Sequence, residues 1–149
     1  MKSSKLPSEN WYAIYTRPRS EKKVNELLTQ KGFDSYLPLV TTIRQWSDRK
    51  KKVQLPLISS YVFVRILESQ LKNVLPVNGV VRILKHLGKP AVIKDYEIQN
   101  LKILLEDTEN FKFINKSNLV NFISLYTKSE SFLFTLLTKL PAPRVRYYS

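Results

Sequence analysis

Two aromatic, β-branched runs constrain this chain more than anything else in it. They are Trp11-Tyr12-Ala13-Ile14-Tyr15-Thr16 and, behind the lead Leu55-Pro56-Leu57-Ile58-Ser59-Ser60, Tyr61-Val62-Phe63-Val64-Arg65. Such residues fit the pleated, half-buried surface of a sheet, so both runs are predicted strands. Between them, Arg19 to Lys31 carries Val24, Leu27, Leu28 and Lys31 at helical spacing, with Gly32 beyond as a left-handed terminator. Pro18 suits the start of that helix, where its missing N–H costs nothing. The opposite helix face holds Glu21, Lys22, Asn25 and Glu26.

Phe33 to Leu37 reads as a second strand, stopped by Pro38. Leu39 to Trp46 and Val53 to Leu57 read as a hairpin arm around the polar cluster Ser47 to Lys52, whose cations Arg49, Lys50, Lys51 and Lys52 make the tip strongly basic. Ser60 to Ile66 is the clearest strand. Ser69 to Leu75 suggests a short helix ended by Pro76, Asn78-Gly79 a turn, and Val80 to Leu87 a further strand. After Gly88-Lys89-Pro90, Asp95 is the expected N-cap of a helix bearing Ile98, Leu101, Leu104 and Leu105 on one side. This order leaves too little length for a doubly wound sheet. It predicts an α+β fold, a ferredoxin-like α/β sandwich with an antiparallel sheet and a basic β-hairpin arm.

The expected organisation is a flexible N-terminus over 1–9, one domain over 10–108, and a linker with an atypical tail over 109–149. Residues 107–149 contain no glycine, so the tight turns of a small second β domain are not expected there, although Phe132 to Leu140 is apolar enough for a short helix. No window approaches the roughly 18 to 20 apolar residues of a membrane span, and no signal peptide is legible, which predicts a cytoplasmic protein.

The net charge of +13 is uneven: residues 1–94 hold 18 Lys and Arg against 6 Asp and Glu, whereas 95–149 hold 7 against 6. An excess of this kind favours a polyanionic partner, with nucleic acid the commonest. Cysteine is absent, His86 is the single histidine, and Gly32, Gly79 and Gly88 are the only glycines. Thiolate chemistry, histidine triads, zinc motifs and phosphate-binding glycine loops therefore cannot be assembled. His86 reads as a strand residue. No cofactor, metal or catalytic residue is expected, and binding is the better-supplied class.

Taken in order, the start Trp11-Tyr12-x-x-Tyr15-Thr16, the helix, Pro38, the basic run Arg49 to Lys52 and the strand Tyr61-Val62-Phe63-Val64 resemble the N-terminal (NGN) domain of NusG-type transcription factors. Asn78-Gly79-Val80-Val81-Arg82 and Pro90-Ala91-Val92-Ile93 resemble that domain's closing segment. The form Ser60-Tyr61-Val62-Phe63-Val64-Arg65 after Leu55-Pro56-Leu57-Ile58 resembles the specialised RfaH and UpxY type more than housekeeping NusG. The resemblance implies an elongation or antitermination factor that binds RNA polymerase as a monomer, bridges the DNA cleft and suppresses pausing or termination. It implies an apolar patch of Tyr15, Ile58, Tyr61 and Phe63 for the β′ clamp helices, with Lys72 and Asn73 toward the β gate loop. Arg17, Arg19, Lys22 and Lys23 would then lie near the upstream fork and the non-template DNA. Arg49, Lys50, Lys51 and Lys52 are equally a solvated tip or a DNA contact.

With the patch exposed, Trp11, Val62 and Val64 are expected in the core, by the two-residue period of a strand. Two departures stand out: Ser59 replaces the proline that usually precedes this strand, and nothing after Asn110 resembles the KOW domain that normally follows. A free-standing RNA-binding module with aromatics on an open sheet face is the alternative, and a small hydrolase a distant third.

Overall fold

The computed structural model describes residues 7–106; the expected tail over 109–149, including Phe132 to Leu140, lies outside the described residues. The elements run β1 (Asn10–Thr16), α1 (Glu21–Gln30), β2 (Asp34–Tyr36), β3 (Leu39–Gln45), β4 (Lys50–Pro56) and β5 (Tyr61–Ile66). A 3-10 helix (Glu68–Asn73) follows, then β6 (Val80–Ile83), β7 (Lys85–His86), β8 (Lys89–Pro90), β9 (Val92–Ile93) and α2 (Asp95–Glu106). The main sheet is ordered β2-β5-β1-β6, with β9 also pairing β1, and every pairing is antiparallel. This is the split β-α-β arrangement of a ferredoxin-like sheet, with the β3–β4 hairpin inserted between its second and third strands. The fold is α+β, as the sequence predicts.

Residues paired in register share a face. Tyr12, Ile14, Val62 and Val64 therefore point one way, packing with Val24 and Leu28 of α1 and Leu71 of the 3-10 helix. Trp11, Ala13, Tyr61, Phe63 and Ile93 point the other way, under Ile98, Leu101 and Leu104 of α2. Both faces of β1 and β5 are covered, one by α1 and the 3-10 helix and the other by α2. Lys102 of α2 lies over the rings of Trp11 and Tyr36, 5.5 and 5.0 Å from their centroids.

Several expectations are corrected. Trp11, Val62 and Val64 are all in the core as expected, but not on one face: Trp11 sits with Phe63, because β1 and β5 pair Ala13 with Phe63 and Tyr12 with Val64. Glu21 is not on a solvated helix face. It is buried, and its Oε1 accepts the Ser60 backbone N–H at 2.7 Å. Arg17-Pro18-Arg19 does not open the helix. Ser20 N–H donates to the Arg17 carbonyl at 3.1 Å, and Arg19 has φ of 64°, so Pro18 and Arg19 occupy the middle of a turn with the type II signature.

The expected strand Val80 to Leu87 breaks at Leu84, whose N–H donates to the Ala13 carbonyl at 2.9 Å before β7 and β8 leave the sheet as a small hairpin. His86 lies exposed on that hairpin. Asp95 is the first helical residue rather than the cap. The cap is Lys94, whose N–H donates to Glu97 Oε2 at 2.8 Å, half of a capping box.

Candidate functional site: a sheet-end aromatic row and two basic surfaces

At the C-terminal end of β1, three strands bring one side chain each into a row: Tyr61 pairs with Tyr15, and Tyr15 pairs with Arg82. The Tyr15 and Tyr61 rings meet edge to face at 5.4 Å, and the Arg82 guanidinium lies 5.2 Å from the Tyr15 centroid. Tyr61 is buried, Tyr15 is half-buried and Arg82 is exposed, so the row runs from core to solvent. Leu57 and Leu84 are also half-buried against the same core cluster. Burial pushes the Tyr61 phenol up, partly opposed by Arg82. Tyr36, packed on the same cluster, is pushed up to about 12, by burial first and then by the Glu106 carboxylate. Both phenols are therefore neutral across the physiological range.

The patch expected from sequence is only partly at the surface. Ile58 is 3% exposed, Tyr61 4% and Phe63 0%, which leaves Tyr15 as its one accessible member. The physical reason is α2: its apolar side occupies the face that an exposed patch would need. Arg82, Leu57 and Leu84 were not singled out by sequence. Recognising Arg82 requires the β1–β6 register, which no local pattern reveals. Lys72 and Asn73 are exposed on the 3-10 helix, whose Leu71 packs on the α1 face, so they lie on the opposite side of the sheet from the row.

A tight junction fixes the end of the sheet where the row lies. Thr16 N–H donates to the Ser60 carbonyl and Arg17 N–H to the Gly79 carbonyl, each at 2.8 Å. Ser60 has φ of 65°, and the Glu21 carboxylate holds its amide, so a hydrogen bond fixes the approach to β5. Gly79 has φ of 94°, and a Cβ there would lie 2.7 Å from Val24 Cγ2. Glycine is thus required for two independent reasons.

Arg17, Arg19, Lys22 and Lys23 are all exposed around this junction and the first turn of α1. Lys22 Nζ reaches the Gln54 carbonyl on β4 at 2.7 Å, joining the α1 cations to the base of the hairpin arm. In the arm, β3 and β4 pair from Leu39 with Pro56 to Gln45 with Lys50. Lys50, Lys51 and Lys52 are therefore strand residues rather than tip residues; the turn spans Trp46 to Arg49 and is closed by Trp46 N–H to the Arg49 carbonyl at 2.8 Å. All four expected arm cations are exposed, as is Arg44. Arg49 has a loose ion pair with Asp48 at 3.9 Å, which contributes little at such exposure.

With this geometry in view, the comparisons with known proteins are specific. A model of the NusG family, described as transcription termination factor nusG, matches residues 9–102. The chain belongs to the NusG family, and its described residues form an NGN-type domain. Among solved structures, one describing domain interaction in Thermotoga maritima NusG is 22% identical with a TM-score of 0.42. That alignment covers 72% of this chain and 61% of the other, so the chain spans less than two thirds of that protein. Comparison with curated proteins gave no match. Among the described residues, no helix is long and apolar enough to cross a membrane.

Proposed function

We propose that this protein is a transcription elongation or antitermination factor that seats the sheet end around Tyr15 on the RNA polymerase clamp helices. The observation that carries this reading is the row Tyr61, Tyr15 and Arg82, in which a buried aromatic backs a half-buried one beside an exposed cation. Interface anchors have this character: rigid aromatic area with arginine at hand, held in place before the partner arrives. Leu57 and Leu84 widen the apolar part, while Ile58, Tyr61 and Phe63 support it from beneath. Lys72 and Asn73 would meet the β gate loop from the other side of the sheet. Arg17, Arg19, Lys22, Lys23 and the arm cations would face the non-template DNA near the upstream fork. Spanning the cleft in this way would hold the clamp closed and suppress pausing or termination, with the factor acting as a monomer.

The alternative of an RNA-binding sheet face loses its main support, because α2 covers the aromatics that would stack on bases. Pull-down of tagged full chain from nuclease-treated lysate tests the proposal. Retention of the β and β′ subunits is expected, and it should fall with Arg82→Glu. Retention only before nuclease treatment would instead favour a nucleic-acid module.

A further inference from the structure

In the arm, residues in register lie on common faces. Arg44 stands opposite Lys51, and the closing pair Trp46 and Arg49 continues the same face, while Ile43, Gln45, Lys50 and Lys52 fall on the other. Trp46 is 51% exposed at the tip, where turn chemistry asks for a small polar residue. Lys51 Nζ lies 5.1 Å from the Trp46 ring centroid, a cation–π contact that still leaves the indole partly open to solvent. The only carboxylate between Ile43 and Lys52 is Asp48. An exposed indole on the same hairpin face as Arg44, Arg49 and Lys51 is wasteful as a solvated tip, but it matches the two requirements of an unpaired nucleic-acid strand: a plate for a base and cations for the phosphates on either side.

We infer that the distal arm is a single-strand nucleic-acid site in which Trp46 stacks on one unpaired base while Arg44, Arg49 and Lys51 neutralise the flanking phosphates. Stacking uses the π-face that every base presents, so binding tolerates sequence. The site belongs to the nucleic-acid side of the proposed function but requires no polymerase, so it stands or falls separately from the clamp contact.

The test uses the full chain alone. The protein has two tryptophans, and Trp11 is only 4% exposed, so quenching of tryptophan emission by added strand reports Trp46. Oligo(dT) and oligo(rU) of about 15 nucleotides, long enough for one small site, should both quench. The tighter of the two identifies the sugar preferred. Anisotropy of labelled strands should show binding weakened about tenfold by Trp46→Ala and largely restored by Trp46→Phe. Lys51→Gln should flatten the plot of log affinity against log salt by about 0.7, one phosphate contact. Equal affinity of Trp46→Ala and the unchanged protein would overturn the proposal. So would displacement of the strand by an equal nucleotide concentration of duplex, which would make the arm a backbone contact for double-stranded DNA.

Discussion

The body of the domain and its arm are built on opposite principles. In the body, a sheet is closed on both faces, and Tyr12, Ile14, Val62, Phe63 and Val64 have no exposed surface at all. In the arm, two strands pair only with each other, and from Ile43 to Lys52 every residue is exposed. Tertiary packing therefore fixes the body, whereas ladder hydrogen bonds and the anchorage near Lys22 and Gln54 fix the arm. A two-stranded ribbon is marginal by itself, so the arm borrows its order from the body. It gains freedom in return: its side chains can be chosen for binding with little consequence for stability.

Phe63→Ala should show the largest difference between the two regions. Removing a fully buried aromatic ring typically costs about 3 to 5 kcal/mol, whereas Trp46→Ala in the arm should stay within about 0.5 kcal/mol. Urea denaturation of both variants measures this directly. Comparable losses would mean that the arm is part of the cooperative core. Gly79→Ala comes next, since it combines a left-handed backbone with a Cβ driven into Val24. A loss of about 1 to 3 kcal/mol is expected, and the loss should be smaller when Gly79→Ala is measured in a Val24→Ala background.

Glu21→Ala removes the acceptor for the Ser60 amide and should cost about 1 to 3 kcal/mol, most visibly as faster hydrogen exchange at Ser60. Slow exchange in that variant would show that another group holds the turn. The smallest effect lies at high pH. The folded state keeps the Tyr36 phenol protonated to about 12, against 10.0 for the ordinary group. Its contribution is thus fully present below pH 10 and lost as pH rises toward 12. Tyr36→Phe should flatten the decline of melting temperature across that interval, and an identical decline in both proteins would remove Tyr36 as its source.

The same contrast explains what could be read from the sequence. The strands β1 and β5, the helix α1 and the arm were legible because their signals are local: β-branched alternation, helical spacing, and a charged turn between two β-prone runs. The face of each strand was not. With helices on both sides of the sheet, Trp11 and Phe63 are as apolar as Val62 and Val64, and only the pairing register tells the two sets apart. Burial of Tyr61 and Phe63 follows from α2 folding over the face that the resemblance assigns to a partner. The acceptor role of Glu21 was not legible, because it depends on Ser60, 39 positions away. The Arg82 contact with Tyr15 was hidden for the same reason. Trp46 and Arg44, by contrast, share a face by simple alternation and were within reach of the sequence.

The binding of the purified 149-residue chain to core RNA polymerase, compared between the unchanged chain and Arg82→Glu, is the decisive measurement. Arg82 is exposed, so its melting temperature should hold steady while affinity falls by about tenfold or more, the loss expected when a hot-spot cation beside an aromatic anchor is reversed. Tyr15→Ala should weaken binding in the same assay. Unchanged affinity in both variants, with the fold intact, would contradict a polymerase contact at the Tyr15 end of the sheet.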